Sequence, residues 1–517
     1  MGISKIAEIR NRDDISSVVY ENVNALLPTG LQTELSFDTS LVELGLDSLT
    51  RMDIANRVEA AFSIRFSEDD LFDMETCGDL VERIAELTGV ADARELPNAE
   101  ATQSAPAEVA TAAEPTAETY DVTRFPECVG LQQRLAAAEA VGYPSPFFRG
   151  KDDVDGAIAT VAGAQAITYT SFDYLGMASD PEVAAAAKTA IDRFGTSSSA
   201  SRLVGGDTAV LRELDDVLAG FLGTESAAVF PSGFGTNASV LGHLFGKDDL
   251  ILYDELAHNS IVQGSMLSKA GMRPFPHNDF AHLDKLLGDL RGKYRRVVVA
   301  IEGVYSMDGD YPDLPRFIEI KNRHCALLYV DEAHSIGVMG SNGRGICEHF
   351  GVDPAEGDFW MGTISKALGS GGGYIAGKAS LIKYLKYTTP AFVFATACSP
   401  ANAAAALAAV QLLQTQPERV ARLRDRSNLF AGLAMDAGFD IGNSADAPIV
   451  PIILGDSMQC VEVSHELLRQ GIDAQPILFP AVPEKAARIR FFITANHTEE
   501  HICRTVDVLT NCVDAAN

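Results

Sequence analysis

From about residue 121 onward, short apolar runs alternate with longer helical patterns, and this alternation constrains the fold more than any other feature of the chain. The segments RRVVVAIEG (295–303) and ALLYVDEAHS (326–335) each have the pattern of a buried parallel strand that ends in polar residues. ESAAVFPSGFGTNASVLGHLF (225–245) has the pattern of a strand, a turn and a helix. Strands that alternate with helices predict an α/β fold with a mostly parallel sheet, whose ligands bind at the carboxyl ends of the strands.

Three other regions differ in character from this alternating part, which we place at residues 121–400. Residues 1–90 have apolar residues at helical spacing and no β-rich run, and contain 18 acidic against 7 basic residues, so they predict a small all-α domain. Residues 91–120 are rich in Ala, Glu, Pro and Thr and predict a flexible linker. Residues 401–517 begin with an Ala-rich helix and predict a smaller α+β domain.

Composition excludes several classes of function. The formal net charge of −30 over 517 residues argues against nucleic acid or an anionic membrane as partner, because both repel a strongly negative surface. No apolar run is long enough for a transmembrane helix, and the N-terminus MGISKIAEIRNRDD has no apolar signal core. The eight cysteines form no CxxC pair and have no metal-ligand spacing. We therefore expect a cytoplasmic protein with reduced cysteines and no metal site.

Ser48 follows Asp47 at the start of an amphipathic pattern, LDSLTRMDIANRVEAAF (46–62). A helix N-cap explains such a serine equally well. The composite LGLDSL, within an acidic unit followed by a linker, resembles the acyl carrier protein family over residues 1–90. That resemblance implies a four-helix domain in which Ser48 carries 4'-phosphopantetheine, and the helix N-terminus would favour the attached phosphodiester.

The stretch GTISKALGSGGGYIAG (362–377) sets Lys366 beside a run of glycines. Such a lysine is a surface charge, a phosphate clamp, or an amine that forms a Schiff base with an aldehyde cofactor. The third alternative requires a carboxylate for a pyridine nitrogen, donors for a phosphate, a group to stack on a ring, and a cation for a substrate carboxylate.

The chain contains residues of each required type, although every one also has a structural explanation. Asp331 and His334 follow a strand pattern, where an N-cap aspartate and a surface histidine are the alternatives. Gly233 opens a helix and leaves backbone N–H groups for a phosphate, or it belongs to an ordinary turn. The same choice between ligand contact and a capping, buried or solvated role applies to the remaining candidates, which are His258, Thr363, Ser365, Arg488 and Arg490.

The order of the motifs decides between these alternatives. SRLVGGD, SGFGTNAS, DELAHNS, EGVYSMDGD, VDEAHSIGVMG, GTISKALGSGGGYIAG and RIRFFITANHT occur in the pattern of the α-oxoamine synthase family, which are pyridoxal-phosphate enzymes of fold type I. The resemblance covers roughly residues 125–515. It implies that Lys366 forms the Schiff base and moves the Cα proton, that Asp331 pairs with the pyridine nitrogen, and that His258 stacks on the ring.

The same resemblance implies the remaining contacts. His334 and Ser306 would bind the phenolic oxygen of the cofactor, and Thr363 with the backbone N–H groups of Gly233 and Phe234 would hold its phosphate. The substrate carboxylate would be bound by one arginine of the strand pattern AARIRFF (486–492), with Arg490 first and Arg488 as the alternative.

The reaction that the resemblance implies is a decarboxylative condensation of a small amino acid with an acyl thioester, giving an α-amino ketone, CO₂ and a free thiol. The donor would be the arm on Ser48 or free acyl-coenzyme A, and a phosphopantetheinyl transferase and an acyl-loading enzyme would be partners. We expect a homodimer, with residues near FATACSP (394–400) reaching the partner's cofactor. Ala481 stands where many members have threonine, so serine, alanine and glycine all remain open. An aminotransferase or lyase of the same fold and a silent carrier scaffold are the alternatives.

Overall fold

The computed structural model describes residues 12–24, 35–37, 39, 54, 57–58, 61–62, 64, 76–88, 116–140, 142, 145–444, 446–479 and 481–516. They belong to two compact units. One comprises residues 1–148, 455–462 and 477–487, and the other comprises residues 149–454, 463–476 and 488–517. Among the described residues, no helix is both long and apolar enough to cross a membrane.

The helices of the described residues are numbered in chain order. They are α1 (Arg12–Asn24), α2 (Cys77–Thr88), α3 (Ala117–Tyr120), α4 (Pro126–Ala140), α5 (Pro181–Phe194), α6 (Ala209–Leu222), α7 (Gly233–Leu244), α8 (Asn259–Ser268), α9 (Phe280–Leu290), α10 (Leu314–Arg323), α11 (Ile346–Phe350), α12 (Ala379–Thr388), α13 (Pro390–Val393), α14 (Pro400–Thr415), α15 (Glu418–Asp436), α16 (Ser457–Arg469) and α17 (Glu499–Ala516).

The strands are numbered in the same way. They are β1 (Lys151–Asp155), β2 (Ile158–Val161), β3 (Ala164–Thr168), β4 (Ser226–Phe230), β5 (Leu250–Asp254), β6 (Gly271–Phe275), β7 (Val297–Glu302), β8 (Leu327–Asp331), β9 (Phe359–Thr363), β10 (Gly373–Gly377), β11 (Ile449–Ile453), β12 (Ile472–Asp473), β13 (Gln475–Ile477) and β14 (Arg488–Phe492).

Most of the described residues in 1–90 are helical, as predicted. α1 buries Ile15, Val19 and Val23, spaced four residues apart, and α2 buries a second apolar stripe from Cys77 to Ala85. Ile54, Val58 and Phe62, all helical, join the same core. At the start of α2, the carboxylate of Asp79 accepts from the backbone N–H of Thr76 while the threonine hydroxyl accepts from the N–H of Asp79, which is a reciprocal cap.

Two of the sequence predictions for this region fall outside the described residues. These are the position of Ser48 and most of the linker, since residues 89–115 are not described. The last residues of the predicted linker, 116–120, include the short helix α3. The linker boundary therefore stays a prediction.

The predicted α/β fold is confirmed by a seven-stranded sheet with the order β4-β10-β9-β8-β7-β5-β6. β10 runs antiparallel to both of its neighbours, and the other pairings are parallel. The central strands are buried along their whole length, β7 for example from Val297 to Glu302, because helices cover both faces of the sheet. The glycine-bordered stretch with Lys366 connects β9 to β10.

Two smaller sheets complete the described strands. β1, β2, β3 and β12 form a four-stranded sheet, and β11, β14 and β13 form a three-stranded one in that order. β14 pairs antiparallel with β11, so Arg488 and Arg490 lie opposite Ile453 and Pro451. Their two-residue spacing places both arginines on one face of the strand, as the alternating pattern predicts.

Candidate active site

The polar ends of several parallel strands meet at one edge of the seven-stranded sheet. β7 ends at Glu302 and β8 at Asp331, and the two residues are register partners on adjacent strands. β5 ends at Asp254 and β9 at Thr363. This edge is where the sequence predicts ligand binding, and most of the candidate residues follow one of these strand ends.

Lys366 and His334 are in direct contact. The Nζ of Lys366 lies 2.7 Å from Nε2 of His334, and Nδ1 of the same ring lies 2.7 Å from the hydroxyl of Tyr174. His334 is buried, and this burial together with the charge of Lys366 holds its pKa well below the ordinary histidine value. Burial lowers the pKa of Lys366 to about 8, against the opposing effect of the carboxylates of Asp331 and Glu302. A neutral imidazole therefore holds an amine that deprotonates near neutral pH.

Asp331 is fixed by donors on both carboxylate oxygens. Its Oδ2 accepts from the amide of Asn237 at 2.6 Å, and its Oδ1 accepts from the backbone N–H of Ala333 at 2.9 Å. The carbonyl oxygen of the Asn237 amide in turn accepts from the hydroxyl of Tyr329 at 2.7 Å. The aspartate is buried with a set orientation, which suits a carboxylate that pairs with a protonated ring nitrogen.

His258 lies at the start of α8 and is held by two neighbours. Its Nδ1 is 2.7 Å from the hydroxyl of Ser260, and its backbone N–H donates to Oε1 of Glu302 at 2.5 Å. The hydroxyl of Ser260 also accepts from the amide of Asn237 at 2.8 Å, so His258 and Asp331 share one hydrogen-bond network. Burial and the nearby charge of Asp331 raise the pKa of Glu302 well above its ordinary value.

The predicted phosphate site is the N-terminus of α7, which begins at Gly233. A Cβ at Gly233 would approach the hydroxyl of Thr363 to 2.9 Å, so only glycine allows β9 and the helix N-terminus to lie this close. The Thr363 hydroxyl donates to the carbonyl of Gly372 at 2.8 Å and lies 2.6 Å from the hydroxyl of Ser365, which is exposed. Phe234 is also exposed, with its ring edge-on to His258.

The two candidate arginines have different partners. Arg488 forms an ion pair with Asp308 at 2.6 Å and donates to the carbonyl of Met307. Arg490 donates through one Nη to the carbonyl of Ser306 at 2.7 Å, and its Nε is buried without a hydrogen-bond partner among the described residues. Burial lowers the pKa of Arg490 to about 10. The unpaired guanidinium nitrogen of Arg490 suits an incoming carboxylate, whereas Arg488 is already paired with the carboxylate of Asp308.

Ser306 lies near the arginines, and its backbone carbonyl is the group that binds Arg490. Its contact with a cofactor oxygen stays a prediction. Four other candidates belong to two hydrogen-bonded groups. Lys366 contacts His334 in one, and Asp331 connects through Asn237 and Ser260 to His258 in the other.

Sequence reasoning missed four functional neighbours: Asn237, Tyr174, Glu302 and Phe172. Asn237 lies within the quoted motif SGFGTNAS and Glu302 opens EGVYSMDGD, so polar residues adjoining strand ends were the available signal. Tyr174 and Phe172 come from the segment SFDYLG (171–176), far from the other site residues in the chain. Nothing in their local pattern indicates that they lie beside Lys366.

These residues fit pyridoxal 5'-phosphate. These residues offer an amine with a lowered pKa, a buried carboxylate for a pyridine nitrogen, and a glycine helix N-terminus for a phosphate. The unpaired Nε of Arg490 completes the set with a cation for a substrate carboxylate. Each group has the chemistry that the corresponding part of the cofactor or substrate requires.

Comparison with protein families gives two matches. The model for aminotransferases of class I and II matches residues 166–509. The model for the phosphopantetheine attachment site matches residues 27–84, a range that includes Ser48. The first range lies within the α/β region and the C-terminal region that the sequence predicts, and the second lies within the predicted all-α domain.

Individual proteins resemble the larger part of the chain. An 8-amino-7-oxononanoate synthase from Symbiobacterium thermophilum is 40% identical over 342 residues, which are 66% of this chain and 87% of that protein. Long chain base biosynthesis protein 2b from Oryza sativa subsp. japonica is 35% identical over 370 residues, covering 69% of this chain and 74% of its own length. A solved structure of Sphingomonas wittichii serine palmitoyltransferase has a TM-score of 0.74 and 31% identity, covering 77% of this chain and 99% of that one.

Proposed function

Because the chain belongs to the α-oxoamine synthase family of pyridoxal-phosphate enzymes and carries a phosphopantetheine attachment domain, we propose that it condenses a small amino acid with an acyl thioester held on its own carrier arm. The amino acid is serine, alanine or glycine, and the arm is attached to Ser48. The products are an α-amino ketone, CO₂ and the free thiol of the arm.

The observation that supports this proposal is an amine in contact with a neutral imidazole and near an arginine that has an unpaired nitrogen. The Nζ of Lys366 lies 2.7 Å from His334, and Arg490 has an unpaired buried nitrogen. The amine of Lys366 would hold bound pyridoxal phosphate, and the same Nζ would serve as the base that accepts the Cα proton of the amino acid. Arg490 binds the carboxylate through its open Nε, and the carbonyl of Ser306 keeps the guanidinium in place.

Bound pyridoxal phosphate supplies an electron sink for the negative charge at Cα, and Asp331 stabilises the protonated ring nitrogen that this requires. A C–C bond then forms between Cα and the thioester carbonyl carbon, and the C–S bond breaks to release a thiolate, which takes a proton from water to give the free thiol. The bond from Cα to the carboxylate breaks next, CO₂ leaves, and Lys366 returns a proton to Cα. Asn237 keeps Asp331 oriented throughout, because it donates to the same carboxylate oxygen.

Tethering is the advantage of an attached carrier. A flexible connection raises the concentration of the acyl group at the site to the order of millimolar, so that weak docking is sufficient. Free acyl-coenzyme A is the alternative donor, and Ser48→Ala supplied with soluble acyl-coenzyme A separates the two. Turnover of Ser48→Ala on soluble acyl-coenzyme A as fast as that of the arm-loaded unmodified protein would indicate the free donor, whereas strongly reduced turnover supports the attached arm.

A homodimer is part of the proposal. Val204 and Phe394 have exposed fractions of 83% and 84%, and their segments adjoin, since the N–H of Ala397 donates to the carbonyl of Ala200. An exposed apolar surface of this kind is typical of a protein interface. Val204→Glu should shift the sedimentation coefficient to that of a monomer, and an unchanged coefficient would remove this surface from the interface.

The function is tested by incubating the holo-protein, loaded with an acyl thioester, with each amino acid and measuring product mass, CO₂ and free thiol. Equal amounts of CO₂ and thiol, with a product lacking the amino-acid carboxylate, support the condensation. A keto acid or ammonia without CO₂ would instead indicate an aminotransferase or lyase. Lys366→Ala with the same arm loading is the matched control and should give neither CO₂ nor thiol.

A further inference from the structure

Phe172 is an aromatic residue that lies beside the reacting amine. The centroid of its ring is 5.6 Å from Nζ of Lys366, and the ring packs edge-on against His334 at 5.8 Å. On its other side it packs edge-on against Phe492 at 4.7 Å, and the guanidinium of Arg490 lies over the Phe492 ring at 4.5 Å. With 38% of its surface exposed, Phe172 leaves part of its ring free for a ligand.

These contacts place Phe172 along the path that an amino acid must occupy. In the proposed reaction the amino-acid nitrogen takes the place of Nζ, and the carboxylate binds Arg490. The two ends are joined only through Cα. Phe172 lies beside the amine and packs against Phe492, whose ring carries Arg490. In the proposed reaction, Cα and its side chain would therefore lie beside the Phe172 ring.

The wall that Phe172 forms offers no hydrogen bond to a hydroxyl group. Phe172 and Phe492 are apolar, and both ring nitrogens of His334 are already engaged, one by Tyr174 and the other by Lys366. A hydroxyl placed here would exchange its hydrogen bonds with water for an apolar contact, which weakens binding. A methyl group gains from the same contact, because it removes apolar surface from water.

We propose that Phe172 determines which amino acid the enzyme uses, and that it selects alanine over glycine and glycine over serine. This rests on the proposed function only in taking the nitrogen and the carboxylate of the amino acid as the two fixed ends. Phe172 contributes one wall of the side-chain site and takes no part in proton transfer.

The test measures binding and turnover separately. Dissociation constants of L-alanine, glycine and L-serine are obtained from the change in visible absorbance of the full chain loaded with pyridoxal phosphate, without any acyl donor. We expect alanine to bind about tenfold or more tightly than serine, with glycine between them. The variants are Phe172→Tyr and Phe172→Asn, which supply a polar group, and Phe172→Leu, which keeps the wall apolar.

Phe172→Tyr and Phe172→Asn should lower the alanine-to-serine ratio at least fivefold, while Phe172→Leu should keep alanine ahead of serine. Phe280→Leu is the matched control, because Phe280 has a similar exposed fraction of 39% and begins α9. The alanine-to-serine ratio of this control should equal that of the unmodified protein. Phe172→Tyr keeps the ring, so it preserves the test if Phe172→Asn does not fold.

Tighter binding of serine than alanine by the unmodified protein, or an unchanged ratio in both Phe172→Tyr and Phe172→Asn, would overturn the proposal. Failure of the condensation is a separate result. If turnover gives keto acid without CO₂, the proposed function is wrong, and the dissociation constants still decide whether Phe172 selects the amino acid.

Discussion

Two histidines lie at the same edge of the seven-stranded sheet and have opposite protonation. His277 follows β6, and its Nδ1 and Nε2 lie 2.9 Å and 2.8 Å from carboxylate oxygens of Asp254 and Asp310. His334 follows β8 and has a tyrosine hydroxyl and a lysine amine as its neighbours. The two carboxylates raise the pKa of His277 to about 10 in spite of its burial, whereas burial and Lys366 lower the pKa of His334.

The difference shows how the neighbours of a histidine assign its role. A ring with a carboxylate at each nitrogen donates to both carboxylates and is charged. Asp254 begins the loop from β5 to His258, and Asp310 lies in the loop that contains Ser306, so His277 connects the two loops. A ring between a hydroxyl and an amine stays neutral and can position that amine. His277 therefore stabilises the loops around the site, and His334 acts within it.

The largest effect is expected on turnover when Lys366, the partner of the neutral His334, is replaced. Lys366→Ala removes the partner of His334 and the proposed proton acceptor, and turnover should fall by at least about 10³-fold. The control Lys378→Ala removes an exposed lysine that pairs with Glu225, and such pairs contribute little. A Lys366→Ala protein that retains a tenth of the activity would contradict the assignment of the amine.

Replacing His277 tests whether its charged imidazole stabilises the two loops. His277→Leu leaves Asp254 and Asp310 buried without their cation, so the free energy of unfolding should fall by about 3 kcal/mol in urea titrations. His282→Leu, on α9, is the control. A loss in stability of His277→Leu no greater than that of the control would show that the imidazolium does not stabilise the two loops.

Replacing His334 should affect turnover more than stability. His334→Ala releases Lys366 from its partner, and we expect kcat to fall by about 10²-fold while the cofactor absorbance persists. The acidic limb of the pH–rate profile should also move to higher pH, because loss of the imidazole leaves the amine free to hydrate and returns its pKa toward the ordinary lysine value. A profile superimposable on that of the unmodified protein would contradict the positioning role.

The smallest effect, and the sharpest contrast, is in the dependence of stability on pH. The pKa of His277 is raised on folding, so its contribution is complete below about pH 6.5 and is lost as the pH rises towards 10. The pKa of His334 is lowered, so its contribution is present above about pH 6.5 and is lost as the pH falls below that value. Between pH 5 and 10, the free energy of unfolding that His277→Leu loses relative to the unmodified protein should shrink as the pH rises, whereas the loss in His334→Ala should grow. Changes of equal sign would contradict the assignment.

Much of this architecture follows from the sequence because its signals are local. Runs such as RRVVVAIEG predict buried strands, and parallel strands place their polar ends together, so the strand pattern places Asp331 and His334 at one edge of the sheet. Lys366 and His258 are added to them by the resemblance in motif order. The antiparallel insertion of β10 between β4 and β9 has no such signal, since its pattern is that of any buried strand.

Partners distant in the chain account for what the sequence does not reveal. Tyr174 reaches His334 across 160 positions, and Asn237 reaches Asp331 across 94, so neither contact can be derived from local periodicity. The protonation of His277 likewise depends on two carboxylates from separate loops. That Arg490 rather than Arg488 keeps an unpaired guanidinium nitrogen depends on the position of Asp308, which pairs with Arg488.

The central claim is that Lys366 is the amine that bonds to the aldehyde of pyridoxal phosphate. The most direct test is to load the protein with the cofactor, reduce it with borohydride, and map the modified lysine by peptide mass spectrometry. The account predicts a single phosphopyridoxyl group on the peptide that contains Lys366, and its loss in Lys366→Ala. A stoichiometric adduct on any other lysine would contradict it.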